Sequence, residues 1–189
     1  EGELALLRRQ LETGLQTVPT SSMGRLFDAV AALLGVRQVV SYEAQAAIEL
    51  ETLAPSGYTL VEDACRLPAC PFDLIVEGGV TICDPGPLLR RLAAGVQAGR
   101  PREELAGVFY AALVRLVVEL SATLRAETGI THVGLSGGVF QNMTLLAAAV
   151  EALRRRNFHV LVHRYTPPND GGVALGQAAV AAAQMGKAY

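Results

Sequence analysis

The chain has 189 residues, of which 51% are apolar and 18% charged, with a formal net charge of -2. That composition is long and apolar enough for one domain or two small lobes around a real core, and it excludes a disordered chain. Without a broad basic stripe, electrostatics do not favour a nucleic-acid partner, and Arg154, Arg155 and Arg156 read as the solvated end of a helix.

The chain opens on Glu1 rather than Met, so an upstream start is expected, and no secretory signal is seen. Glu3 to Leu15 reads as a short helix carrying Leu4, Leu7, Leu11 and Leu15, ended by Pro19. Thr20, Ser21 and Ser22 offer N-caps to a helix from Arg25 to Leu34, stopped by Gly35. Its apolar stripe is Leu26, Val30 and Leu33, with Asp28 off that face. A further helix is expected from Tyr42 to Leu53. Pro55, Gly57, Pro68 and Pro71 then punctuate what reads as a loop. Phe72 to Glu77 and Val80 to Cys83 flank Gly78-Gly79 as a hairpin. Asp84-Pro85-Gly86-Pro87 opens a helix to Ala98, and Pro101 sits in the first turn of a long helix reaching Glu127. Arg115 and Glu119 interrupt the apolar run from Val108 to Leu124, so a buried helix explains it better than a membrane span. Strand Ile130 to Leu135, helix Gln141 to Arg156, strand Phe158 to Val162 and helix Gly171 to Met185 alternate as in a parallel sheet with packed helices.

Cys65, Cys70 and Cys83 make no even framework and no zinc-finger spacing, which points to isolated thiols in a reducing, cytoplasmic compartment. His132, His159 and His163 read as core or surface residues.

Three segments carry candidate chemistry. In Gly134-Leu135-Ser136-Gly137-Gly138-Val139-Phe140-Gln141-Asn142 a strand runs into small residues before a helix. This is either a tight turn or a loop whose backbone N–H groups face a phosphate in a cleft. In Pro167-Pro168-Asn169-Asp170-Gly171-Gly172 the carboxylate either caps the last helix or offers a hard oxygen to a divalent metal. Asp28, within Ser22-Met23-Gly24-Arg25-Leu26-Phe27-Asp28, is a solvated carboxylate or an acceptor for ribose hydroxyls.

Together with Ser41-Tyr42-Glu43-Ala44-Gln45-Ala46-Ala47, these segments in this order resemble the carbamoyltransferases that mature nickel-iron hydrogenases. The resemblance covers nearly the whole chain and matches the C-terminal part of the large transferase domain. It implies an α/β fold: the C-terminal portion of a two-lobed, actin-like or sugar-kinase-like ATPase, with a parallel-sheet core and packed helices. Residues 1–54 would be a helical segment from the lobe junction, and 55–189 a C-terminal α/β lobe. The implied chemistry makes carbamoyl-adenylate from carbamoyl phosphate and ATP. The carbamoyl group then passes to the C-terminal cysteine of the partner maturation protein HypE, and later becomes a cyanide ligand of the hydrogenase iron.

The resemblance assigns Gly24 and Asp28 to the nucleoside, Gly137, Gly138 and Asn142 to the nucleotide loop, and Asp170 to a divalent metal of unknown identity. It leaves the catalytic residues unassigned. Ala44 stands where the family pattern has Gly, and the paired metal-binding histidines of the family have no counterpart here. The rival readings are a nucleotide- or partner-binding module without activity of its own, and a relative of the tRNA threonylcarbamoyl transferases. Phe140-Gln141 and the segment Gly24 to Asp28 favour the hydrogenase type over the tRNA type.

Overall fold

Tyr110, Phe109 and Phe27 meet edge to face at the centre of the core, with centroids 4.9 to 5.8 Å apart. The computed structural model around them describes residues 2–67 and 69–186; Glu1 and Pro68, both read from the sequence above, lie outside the described residues.

Helix α1 (Gly2–Thr13) forms as expected but buries nothing, and it ends at Gly14, φ +68°, rather than at Pro19. Helix α2 (Met23–Leu33) starts at Ser22, whose Oγ accepts from the Arg25 N–H, and Gly35 follows its end at φ +65°. The fully buried stripe is Phe27, Val30, Ala31 and Leu34, shifted by one residue from the expected one because Phe27 is the large side chain the core accepts. Helix α3 (Gln45–Glu51) is shorter than expected, since Ala44 before it is left-handed at φ 61° and ψ 7°.

The expected loop after Pro55 holds helix α4 (Gly57–Arg66). Its core face is Leu60, Val61 and Ala64, and the prolines bracket the helix rather than breaking it. Strands β1 (Asp73–Glu77) and β2 (Val80–Asp84) form the antiparallel hairpin across Gly78-Gly79. Helix α5 (Gly86–Gln97) follows. Pro101 is the N-cap of α6 (Arg102–Thr128) rather than a residue of its first turn.

Helix α6 is long and apolar enough to cross a membrane, but 61% of its most apolar window is buried inside the fold, and Arg115 pairs with Glu119 on its flank. It is the central post against which α4, α5 and helix α7 (Met143–Arg155) pack. Arg155, at the end of α7, pairs with Glu151 and reaches Glu62 on α4, so the expected solvated arginine cluster also ties two helices together.

Strands β3 (His132–Leu135) and β4 (His159–Val162) pair in parallel, as the alternation of elements implies. Residues 138–141 form a 3-10 turn before α7, and Asp170–Gly172 form another before α8 (Val173–Met185), so both helices start later than expected. The result is an α/β fold with a small parallel sheet.

Candidate functional site

In open α/β sheets the loops beyond the carboxyl ends of parallel strands are where ligands collect. Here those loops are 136–142 after β3 and 163–172 after β4, the two segments that stand out most in the sequence. The Gly137 N–H donates to the Pro168 carbonyl at 2.8 Å, which fixes one loop on the other. Gly137 adopts φ +103° and ψ 160°, a conformation open essentially to glycine. The two glycines do form the expected turn between strand and helix, but Gly137 spends its N–H on the protein rather than on a cleft.

The 3-10 turn begins with Gly138 and Val139, whose N–H groups lie ahead of its own i to i-3 bonds. These two are the donors the loop can offer an anion. A Cβ built on Gly138 meets nothing within 4 Å, so no neighbour in the chain requires glycine there.

Asn142 is the N-cap of α7: its Oδ1 accepts from the Leu145 N–H at 2.9 Å. Its Nδ2 donates to the Tyr110 hydroxyl at 2.7 Å. One amide hydrogen remains for a ligand. Burial, and then the neighbouring Glu51 carboxylate, hold the Tyr110 phenol in its neutral form well above the ordinary range, against the lowering effect of Asn142.

In the second loop the capping is done by Asn169, whose Oδ1 accepts from the Gly171 N–H at 3.1 Å. The alternative in which Asp170 caps the last helix is therefore not realised. Asp170 is exposed, and among the described residues no hydrogen bond or ion pair engages its carboxylate. The turn is tight: a Cβ on Gly172 would lie 2.9 Å from the Pro167 carbonyl oxygen.

His163, which reads from the sequence as a core or surface residue, bridges both loops, with Nε2 2.9 Å from Ser136 Oγ and Nδ1 3.1 Å from Thr166 Oγ1. Only its place directly after β4 could have signalled this. His132 and His159 stack across the parallel pair instead.

The 3-10 turn also packs against α2, which carries Gly24 and Asp28. Asp28 is partly buried and pairs with Arg25 at 2.9 Å. Ahead of α3, Gln45 is buried and accepts from the Ser41 N–H at 2.8 Å, while its Nε2 donates to Glu49 at 3.0 Å. Glu49 in turn takes two bonds from Arg37, which hold its carboxyl below the ordinary range. The segment from Ser41 to Ala47 is thus a scaffold motif with the left-handed Ala44 at its bend.

As a metal centre the chain falls short: among the described residues no three His, Cys, Asp or Glu side chains converge. Asp170 alone is one ligand where stable sites usually collect about four or more. Burial pushes the Cys70 and Cys83 thiols up, away from thiolate chemistry. Two surface hollows, one along α1 and one of about 440 Å³ between α4 and α6, lie apart from both loops.

Residues 1–177 match the family model described as the second subdomain of the carbamoyltransferase Kae1-like domain. The chain is 40% identical over 172 residues to carbamoyltransferase HypF of Rhizobium leguminosarum bv. viciae, covering 88% of this chain and 20% of that protein. It is 40% identical over 187 residues to HypF of Rhodobacter capsulatus, covering 95% and 22%. Among solved structures it resembles full-length HypF in a phosphate- and nucleotide-bound form, at TM-score 0.83 and 37% identity, covering 96% of this chain and 27% of that one. It also resembles the HypF of T. kodakarensis, at TM-score 0.68 and 27% identity, covering 94% and 22%. The chain thus spans between a fifth and just over a quarter of these four relatives, and within that span it belongs to the HypF carbamoyltransferase family.

Proposed function

We propose that the chain is the nucleotide-facing part of a carbamoyltransferase that matures nickel-iron hydrogenases. The observation that carries this reading is the Gly137 to Pro168 bond, which joins the glycine loop and the Asp170 loop at the carboxyl ends of two parallel strands. A nucleotide-bound HypF with the same local fold supports it.

In this reading the lobe belongs to an actin-like ATPase fold working in the cytoplasm. Carbamoyl-adenylate, made from carbamoyl phosphate and ATP, lies with its phosphate towards Gly138 and Val139. Gly24, Asp28 and Asn142 flank the nucleoside. The thiolate of the C-terminal cysteine of HypE attacks the carbamoyl carbon. The C–S bond forms, the C–O bond to the phosphate breaks, and AMP leaves as an anion that the loop donors stabilise. Asp170 would contribute one oxygen ligand to a divalent metal, with the other ligands supplied from outside this chain. The described residues do not hold a metal by themselves.

The test is transfer of labelled carbamoyl from carbamoyl phosphate to HypE by the whole enzyme that carries this chain, with ATP supplied. Absence of ATP-dependent labelling overturns the reading. The same assay on the isolated chain distinguishes an active fragment from a binding module, which the single carboxylate at the loops favours for the chain alone.

A further inference from the structure

The start of α7 is already occupied. A helix start leaves its first N–H groups without intrahelical partners and favours an anion there. In α7, Asn142 is the N-cap, Thr144 the second residue and Leu145 the third. The Leu145 N–H goes to Asn142 Oδ1, and the Thr144 N–H donates at 2.9 Å to Oε1 of Glu51, the last residue of α3. Glu51 is half-buried and reaches this amide from 93 residues away in the sequence. Asn142 is held from below by the fully buried Tyr110 on α6. Side chains from two other helices, α3 and α6, therefore converge on the residues that follow the 3-10 turn.

We propose that Glu51 is a positioning residue for the nucleotide loop. Its carboxylate takes the anion place at the α7 start and so confines the ligand phosphate to the donors of Gly138 and Val139. The Glu51 oxygen excludes a phosphate from Thr144 by taking its N–H and by filling the space in front of it. The same bond pins Thr144, three places after the turn, so the turn cannot drift along the helix axis. This rests on the reading that 136–142 is the nucleotide loop.

The test uses the whole enzyme that carries this chain, with AMP as the probe in calorimetry. Loop-dependent binding is defined as the part that Gly138→Ala removes. Glu51→Ala is expected to weaken that part by about tenfold, the effect of losing one charge-assisted hydrogen bond. Glu51→Gln keeps an acceptor oxygen at the same reach and is expected to bind within about twofold of the wild type. A merely structural Glu51 would lower the melting temperature in Glu51→Ala while the folded protein binds AMP normally, and that result overturns the proposal. Equal losses in Glu51→Gln and Glu51→Ala overturn it too, because acceptor geometry would then be irrelevant. Should Glu51→Ala fail to fold, Glu51→Asp, one methylene too short to reach Thr144, takes its place with the same expected loss. A wild type that binds AMP no better than Gly138→Ala instead sinks the nucleotide-loop reading itself.

Discussion

The Gly137 amide and the Pro168 carbonyl, 2.8 Å apart, make one structure of two loops that look independent in the sequence. The bond requires Gly137 at φ +103°, and it leaves Gly138, with no such demand, next in line towards solvent. The two glycines therefore have different reasons to be glycine, and they can be separated.

Gly137→Ala is expected to destabilise the fold by about 1–3 kcal/mol, the cost of holding a side-chain-bearing residue in that region. A Cβ there meets nothing within 4 Å, so the cost is conformational rather than steric. Gly138→Ala is expected to leave stability within about 0.5 kcal/mol of the wild type while weakening nucleotide binding. Urea unfolding paired with AMP titration checks both. A Gly138→Ala that binds AMP as the wild type does would sink the nucleotide-loop reading.

Ala44 also has a positive φ, in the left-handed helical region, without being glycine. A non-glycine residue there costs about 1–2 kcal/mol, of which glycine returns about 0.4–1 through the greater freedom of the unfolded chain. Ala44→Gly should therefore stabilise by about 0.5–1 kcal/mol. Unchanged or lower stability in the variant would mean that the Ser41–Gln45–Glu49 network holds the bend without strain.

How much of this was legible depends on where the signal sits. Gly78-Gly79 announces its hairpin because the turn chemistry is local. Helix α4 hid among four helix breakers, although Leu60, Val61 and Ala64 already marked a helical face between them. The loop segments of the site could be read, since glycine and proline advertise backbone demands. Glu51 could not, and His163 only through its place after β4: each acts on an atom far away in sequence, and no neighbouring residue type encodes that bond.

Tyr110 gives the fold an alkaline limit. Its folded-state phenol titrates above its unfolded value of about 10. The unfolded chain therefore releases this proton first as pH rises. The contribution is fully present below about pH 10 and is lost as pH climbs from there towards the folded value. Tyr110→Phe should cost about 1–3 kcal/mol at neutral pH by stranding Asn142 Nδ2, and should flatten this part of the alkaline decline. Identical alkaline slopes for the two proteins in denaturation series from pH 8 to 11 would reject the assignment.

Asp170 offers the cleanest separation of structure from chemistry. Its turn is capped by Asn169, and among the described residues its carboxylate has no partner, so the fold does not depend on its charge. Asp170→Asn keeps size and polarity, and the melting temperature should stay within about 2 °C of the wild type, as surface changes away from structural features do. If the carboxylate is a metal ligand in the whole enzyme, the amide is a poorer donor to a hard cation. Carbamoyl transfer should then fall by at least about a hundredfold, the upper end of what loss of a residue supporting a metal ligand costs. The isolated chain, with one such carboxylate, should show no tight stoichiometric site for Mg²⁺ or Zn²⁺ in calorimetry. Single-turnover transfer to HypE by wild type and variant decides the case. Near-normal transfer by Asp170→Asn would remove the metal role and leave Asp170 as a solvated turn residue.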